Sequence, residues 1–166
     1  GALTIKRIDI ELLAFISQKL PSWSIVLVGP EDDTFKNSHL HSLSNIYFLG
    51  VKEESTIPNY IYGFDVCINP QLLNKATIGN YPRKIDEYLA TGKPVVASWT
   101  KAMEYFEEYV YLAHNHEEYI TLIPKALSEN TYEKMLKRRN FAVSHTWENN
   151  VNKIVEIYNS LRSTLK

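Results

Sequence analysis

The fold is decided by residues 81–98, which read Tyr-Pro-Arg-Lys-Ile-Asp-Glu-Tyr-Leu-Ala-Thr-Gly-Lys-Pro-Val-Val-Ala-Ser. Pro82 suits the first position of a helix, because that position needs no backbone N–H. Gly92 suits the left-handed residue just past a helix end, and Pro94 prevents the helix from continuing. The β-branched pair Val95 and Val96 then predicts a short buried strand. The stretch therefore predicts a helix that begins at Pro82 and passes directly into a strand.

The rest of the chain repeats this alternation of short apolar strands and helices. Further strands are predicted at 24–28, 45–49, 66–68 and 109–113. Further helices are predicted at 8–20, 53–63, 103–106, 117–127, 131–144 and 147–161. Such alternation is typical of an α/β fold with a doubly wound, Rossmann-like parallel sheet that helices cover on both faces.

The amino-terminal element departs from this scheme. A helix comes first, preceded only by Gly1–Thr4, whereas a doubly wound sheet normally begins with a strand in its middle. The first strand is therefore expected to be missing, and it either precedes this sequence or is replaced by another element. The 166 residues are enough for a single domain over 1–166, with terminal helices at about 131–163 packing on it.

Composition excludes several function classes. The formal net charge of −1 argues against a nucleic-acid partner, which usually requires a basic excess. Cys67 is the only cysteine and lies in an apolar run, and the five histidines lack metal-ligand spacing, so no metal site is expected. No apolar run approaches the roughly 20 residues that span a bilayer. Attachment to a membrane surface stays open.

The predicted ligand edge lies at the carboxyl ends of the parallel strands. The helix near Pro82 begins at that edge, and Tyr81 is a poor cap for it. The amides of Arg83 and Lys84 are therefore expected to have no hydrogen-bond acceptor within the helix, which favours an anion site beside two basic side chains. Lys84 and Glu87 lie one turn apart on one side of this helix. On spacing alone, Glu87 could equally pair with Arg83.

Four blocks of sequence resemble the carboxyl-terminal, donor-binding half of GT-B fold glycosyltransferases. They are similar above all to the group 1 transferases that build bacterial surface polysaccharides. The order and spacing of the blocks agree over nearly the whole chain, and the last block, with Glu-Tyr-Leu-Ala-Thr-Gly-Lys-Pro-Val-Val, is the most specific. The blocks lie at 23–30, 45–50, 65–70 and 84–97.

The resemblance implies a site for a nucleotide-sugar donor, UDP- or GDP-linked. Glu87 stands where the family grips the two ribose hydroxyls. The helix start faces the diphosphate, and Lys6 or Arg7 matches a basic residue in the loop after the family's first strand. The residues implied at the phosphates are Pro82, Arg83, Lys84, Lys6 and Arg7, and those implied near the base are Gly50, Val51 and Lys52.

The sugar side of the site is less regular. Gln71 and Asn74 follow a strand end and are candidates to touch the sugar. Many relatives carry two glutamates with seven residues between them, the earlier one near the donor sugar. Counting back from Glu87 gives Gly79, beside Asn80, so this pair of acids is broken here.

The resemblance implies a glycosyltransferase, specifically a hexosyltransferase, that moves a sugar onto a polysaccharide or lipid-linked acceptor. Electrostatic stabilisation of the leaving diphosphate needs no metal or other cofactor. No catalytic residue is assigned. The chemistry needs an amino-terminal acceptor domain of a longer protein, so this chain alone is expected to be inactive. The intact protein is expected in the cytoplasm, with peripheral association at the inner face of the membrane left open.

Two other functions remain open at this point. One is half of a sugar-nucleotide epimerase with the same fold, although no set of acid–base residues stands out. The other is a non-catalytic, degenerate module. The broken pair of glutamates and the missing first strand favour that second alternative.

Overall fold

The computed structural model describes residues 1–164, and its elements follow the predicted alternation. Each observed boundary lies within a few residues of the predicted one. The strands are β1 (Ile25–Leu27), β2 (Ile46–Phe48), β3 (Cys67–Asn69), β4 (Val95–Ser98) and β5 (Tyr111–Ala113). The α-helices are α1 (Ile10–Lys19), α2 (Asp33–Lys36), α3 (Ile57–Gly63), α4 (Lys84–Ala90), α5 (His116–Ser128), α6 (Tyr132–Ser144) and α7 (Trp147–Thr164), with 3-10 turns at His39–Ser42, Glu54–Thr56 and Lys101–Phe106.

All strand pairs are parallel, but they form two sheets rather than one. β1 pairs with β2, and β4 lies between β3 and β5. Among residues 1–164, no strand joins β1 to β3, which is where a doubly wound sheet has its first strand. The parallel α/β architecture was predicted, and the interruption agrees with the expected absence of that first strand.

Residues 1–9 contact both sheets at their carboxyl edge. The Gly1 nitrogen donates to the Val28 carbonyl oxygen at 2.8 Å, beyond the end of β1. Leu3 makes a parallel bridge to Glu31, and Ile8 makes an antiparallel bridge to Gln71 beyond the end of β3. This segment therefore joins the loops that follow the strands of the two sheets.

Helices cover both faces of the three-stranded sheet, as the alternation along β4 requires. Val96 packs in a cluster with residues of α1 and α5, including Leu12 and Tyr119. Its neighbours Val95 and Ala97 point to the other face, where they pack with Ile85 and Leu89 of α4 and with residues after β4. The sheet thus separates an α1/α5 face from an α4 face.

The end of α4 agrees closely with the prediction, whereas its start agrees less closely. Gly92 has φ of +79°, the left-handed conformation expected there. The Gly92 amide donates to the Leu89 carbonyl and the Lys93 amide to the Tyr88 carbonyl, which is a Schellman ending. The helix begins at Lys84 rather than at Pro82, because a tighter turn from the Ile85 amide to the Pro82 carbonyl precedes it.

The two carboxyl-terminal helices behave differently. α6 packs on α4, and the Nε of Arg138 donates to the Gly92 carbonyl at 2.9 Å. α7 differs from the packing expected for 131–163, because its side chains from 151 to 162 are exposed. These include an apolar stripe at helical spacing, in which each side chain is half exposed or more: Val151, Ile154, Val155, Tyr158 and Leu161.

Candidate functional site

The start of α4 is the centre of the candidate site. Pro82 is buried, and Arg83 takes the cap position in a helical conformation without a side-chain cap. An uncapped helix start leaves backbone N–H groups directed outward, where they favour a negative charge. Because α4 has only seven residues, its dipole is small, and the neighbouring charged side chains matter more.

Two cations and one carboxylate meet beside this helix start. Burial lowers the pKa of the Lys84 ammonium, the negative charge of Glu87 acts in the opposite direction, and the positive charge of Arg7 lowers it further. Lys84 is therefore a partly buried cation within electrostatic reach of both groups. Glu87 itself is exposed, so its carboxylate is accessible to a ligand.

A short backbone ribbon holds the basic segment in place. The Leu72 amide donates to the Arg7 carbonyl at 2.8 Å, and the Asp9 amide donates to the Pro70 carbonyl at 2.9 Å. The side-chain amide of Asn74 donates to the Lys6 carbonyl at 3.0 Å. The side chains of Lys6 and Arg7 are exposed, so their backbones are fixed while their charges face solvent.

The predicted base-binding loop lies beyond the end of β2 and is tied to the end of β1. Gly50 has φ of +67°, and its carbonyl accepts from the Gly29 amide at 3.0 Å. Val51 is 70% exposed, and the Lys52 ammonium lies 5.7 Å from the centre of the Tyr60 ring. Val51 is therefore the apolar side chain of this loop that a planar base can contact.

Gly29 connects this loop to the charged cluster. A Cβ on Gly29 would lie 1.8 Å from the Gly1 carbonyl oxygen, so only glycine permits this approach. Gly1 also lies within electrostatic reach of Lys84 and Glu87. The ends of β1 and β2 therefore come together with the start of α4 around residues 1–7.

The candidate sugar-side residues divide into two kinds. Gln71 is buried, and its side-chain nitrogen donates to the Thr77 carbonyl at 2.7 Å. Asn74 accepts from the Ala76 amide at 2.9 Å through its side-chain oxygen. Both amides thus hold the 70–80 loop in shape, whereas Gly79 and Asn80 are exposed. A sugar contact by any of these four residues stays a prediction.

Sequence reasoning missed a pair next to Glu87. The Tyr81 hydroxyl donates to the Asp86 carboxylate at 2.8 Å, and burial raises the pKa of both groups. Tyr81 was considered only as a poor cap, whereas the structure uses it to anchor the turn before α4. The sequence does contain a pattern that indicates this pair, because Tyr81 precedes Asp86 by five residues across the start of a helix.

Sequence reasoning also missed a contact between distant segments. Asp9 caps α1 by accepting from the Leu12 amide at 2.9 Å, and its other oxygen lies 3.0 Å from Nε2 of His116. In the sequence, His116 was considered only as one of five histidines without metal-ligand spacing. Since the two residues are 107 positions apart, no local pattern indicates their pairing.

Two features are absent from the part of the chain that the structure describes. No group of three or more His, Cys, Asp and Glu side chains within it is placed to hold a metal ion. None of its helices combines the length and the apolar character that crossing a membrane requires.

Among known proteins, the chain is similar to several glycosyltransferases. It is 29% identical over 152 residues to a Bacillus subtilis (strain 168) protein provisionally named teichuronic acid biosynthesis glycosyltransferase TuaH. The aligned region covers 85% of this chain and 37% of TuaH. Anabaena HepE, solved with UDP and with UDP-glucose, superposes with a TM-score of 0.74 at 19% identity over 98% of this chain and 47% of HepE. Sucrose-phosphate synthase from Thermosynechococcus elongatus gives a TM-score of 0.71 at 20% identity, over 98% of this chain and 45% of that enzyme.

These likenesses confirm the predicted GT-B fold class, and they show that the chain spans less than half the length of each of these relatives. The family described as Glycosyl transferases group 1 matches residues 2–137. Because this match covers most of the sequence, the chain belongs to the group 1 glycosyl transferases.

Proposed function

We propose that this chain is the donor-binding domain of a glycosyltransferase and binds a nucleotide sugar at the carboxyl edge between its two sheets. The observation that carries the proposal is the meeting of Lys84, Arg7 and Glu87 at the start of α4. Two cations and an accessible carboxylate at one strand edge fit a diphosphate joined to a ribose. HepE, whose fold is similar, was solved with UDP and with UDP-glucose.

The diphosphate lies against Lys84 and Arg7 in this proposal. Burial and Arg7 both disfavour the charged form of Lys84, so a bound anion offsets a repulsion already present in the empty site. A hydrogen bond between an ammonium and a phosphate oxygen contributes about 1.5–3 kcal/mol. Arg83 and the turn at Pro82 supply the remaining positive potential, and Lys6 lies beside Arg7.

The ribose lies against Glu87. An ionised carboxylate only accepts hydrogen bonds, and a ribose offers two neighbouring hydroxyl donors. Glu87 is one helical turn from Lys84, so a single nucleotide can contact both side chains. The base then extends toward Gly50, Val51 and Lys52.

The proposed chemistry is electrostatic. The leaving diphosphate is stabilised by Lys84, Arg7 and the start of α4 as charge develops on it. We assign no step to a metal ion or other cofactor. The donor sugar lies toward the 70–80 loop, where Gln71, Asn74, Gly79 and Asn80 remain its candidate neighbours.

The acceptor half of the enzyme belongs to the part of the protein that this chain does not span. We propose that a bacterial surface polysaccharide or a lipid-linked sugar is the acceptor, in line with the name of TuaH. The exposed apolar stripe of α7 fits a surface that packs against this acceptor domain. The chain alone is expected to bind donor without transferring sugar, and the intact enzyme to act in the cytoplasm, at the inner face of the membrane.

Calorimetric titration of the chain with UDP, GDP and UDP-glucose tests the donor site. We expect saturable binding of a uridine or guanosine nucleotide. Glu87→Gln and Lys84→Met should each weaken it about 10–100-fold, which corresponds to about 1.5–3 kcal/mol. Glu117→Gln and Lys36→Met are the matched controls, because both residues are exposed on other helices.

The same titration separates the donor site from the alternative of a non-catalytic module. Such a module binds none of the nucleotides. If nucleotide binding is absent, or if Glu87→Gln binds as tightly as the wild type while melting at the same temperature, the proposal is wrong.

A further inference from the structure

A cavity lies on the α1/α5 face of the three-stranded sheet, whereas the proposed donor residues Lys84 and Glu87 lie on the α4 face. It has a volume of about 220 Å³ and lies between the starts of α1 and α5, beyond the ends of β3, β4 and β5. Ser98 lines the cavity. Its side chain lies on the same face of β4 as that of Val96, two residues earlier, and this face packs against α1 and α5. Lys84 and Glu87 belong to α4 on the opposite face.

Three side chains that line this cavity, Ser98, Gln71 and Asp9, can accept a hydrogen bond from a ligand. The Tyr119 hydroxyl donates its proton to the Asn69 carbonyl at 2.9 Å. Ser98 must therefore donate in its 3.0 Å contact with Tyr119, which leaves the Ser98 oxygen as an acceptor. The side-chain nitrogen of Gln71 donates to the Thr77 carbonyl, so its side-chain oxygen is the atom that can accept a hydrogen bond from a ligand.

Asp9 adds a carboxylate with spare capacity. One of its oxygens accepts from the Leu12 amide and the other contacts His116, so each oxygen retains a lone pair. No lysine or arginine lines the cavity, while Leu12, Leu72 and Ala113 supply an apolar wall. An anion such as phosphate is disfavoured beside the Asp9 carboxylate, because His116 is already paired with that carboxylate and no lysine or arginine lines the cavity to balance a second negative charge.

The size of the cavity limits the ligand further. Drug-sized ligands occupy pockets of about 300–1,000 Å³, whereas this one holds the volume of about seven water molecules. Acceptor groups together with apolar side chains match a compact ring that carries both hydroxyl donors and C–H groups. We propose that the cavity binds a single pyranose ring of a saccharide.

The proposal stands on this cavity alone and does not require the nucleotide site. The ring can come from the sugar of a nucleotide donor or from a sugar of the acceptor, and the two sources differ in experiment. Backbone amide NMR of the isotopically labelled chain resolves them. The probes are methyl α-glycosides of glucose, galactose, mannose and N-acetylglucosamine, and separately UDP and UDP-glucose.

We expect at least one methyl glycoside to shift the amides of Leu73, Ser98 and Asn115 saturably, with an affinity in the millimolar range. Leu73→Trp should abolish these shifts, because Leu73 lines the cavity, is 49% exposed and leaves room for an indole. Leu136→Trp is the matched control, since Leu136 lies on α6 away from the cavity.

The source of the ring follows from competition. If the donor supplies it, UDP-glucose but not UDP shifts the cavity amides and displaces the glycoside. If the acceptor supplies it, the glycoside binds equally well with UDP-glucose present. The proposal is overturned if no methyl glycoside gives saturable shifts of the cavity amides, even at glycoside concentrations well above millimolar. It is also overturned if Leu73→Trp binds the glycoside as tightly as the wild type does. Failure of UDP binding leaves this result intact and bears only on the proposed donor site.

Discussion

Replacing Gly92 by alanine is expected to destabilise the domain through the helix that carries the candidate site. Gly92 has φ of +79°, where an L-residue costs roughly 1–2 kcal/mol. The new Cβ would also lie 2.4 Å from Cγ of Met135 on α6. Crowding of this kind costs about 1–3 kcal/mol, and the flexible methionine keeps the cost near the lower end. The two effects together give about 2–4 kcal/mol.

Thermal unfolding followed by circular dichroism measures this cost. A loss of about 2–4 kcal/mol corresponds to a fall of about 5–15 °C in Tm for a protein of this size. Gly63→Ala is the matched control. Gly63 lies at the end of α3 without a positive φ, and a Cβ there meets nothing within 4 Å. That variant should be as stable as the wild type or up to about 1 kcal/mol more stable.

A second background separates the two contributions. In a Met135→Ala chain, Gly92→Ala should lose the crowding contribution and retain only the backbone cost of roughly 1–2 kcal/mol. If Gly92→Ala changes Tm no more than Gly63→Ala does, then neither the backbone cost nor the crowding at Gly92 is real. An equal cost in both backgrounds would refute the crowding contribution alone.

Two further predictions concern residues that hold loops in place. Asn45 donates to the Trp23 carbonyl at 3.0 Å and to the Ser17 carbonyl at 3.1 Å, so Asn45→Ala should lower the free energy of unfolding in urea by about 2 kcal/mol, while exposed Asn59→Ala changes little. A hydrogen bond from Thr34 is the largest cause that lowers the pKa of Asp32 from 3.8 to about 2, so the stability that this carboxylate contributes is present above pH 3.8 and is lost as the pH falls toward 2. Asp32→Asn keeps a cap but does not titrate, and its stability should fall less steeply over that range in acid titration; an unchanged slope would contradict the assignment.

Local patterns predicted the ends of elements well. The Gly92 turn follows from the order of residues along the chain, because only a left-handed residue closes the helix before Pro94. The start of the same helix was less predictable. Pro82 is compatible with either a first helical residue or a preceding turn, and the turn to Ile85 decides between them.

Contacts between distant segments were not predictable from one sequence. The ribbon that presents Arg7, and the pairing of Asp9 with His116, depend on where α1 and α5 meet after folding. Likewise, the apolar stripe of α7 reads as a packed helix in sequence, whereas its side chains are exposed. Hydrophobic periodicity shows that a face is apolar but not what covers it.

The candidate site was predicted in part. Lys84 and Glu87 are neighbours on one helix, so their proximity follows from helical spacing. The approach of Arg7 to Lys84 follows from the tertiary structure, and its likeness to a family position was the only indication in the sequence. Gln71 and Asn74 were nominated as sugar contacts, and their amides turn out to hold the 70–80 loop.

A crystal structure of the chain with UDP bound would show whether the nucleotide binds at the start of α4. The measured quantities are the distances from the two diphosphate groups to Lys84 Nζ and the Arg7 guanidinium, and from the ribose hydroxyls to the Glu87 carboxylate. We expect hydrogen-bond distances of about 2.7–3.2 Å from Lys84 Nζ to a phosphate oxygen and from the Glu87 carboxylate to a ribose hydroxyl. UDP bound at another edge of the molecule, or with its ribose turned away from Glu87, would contradict it.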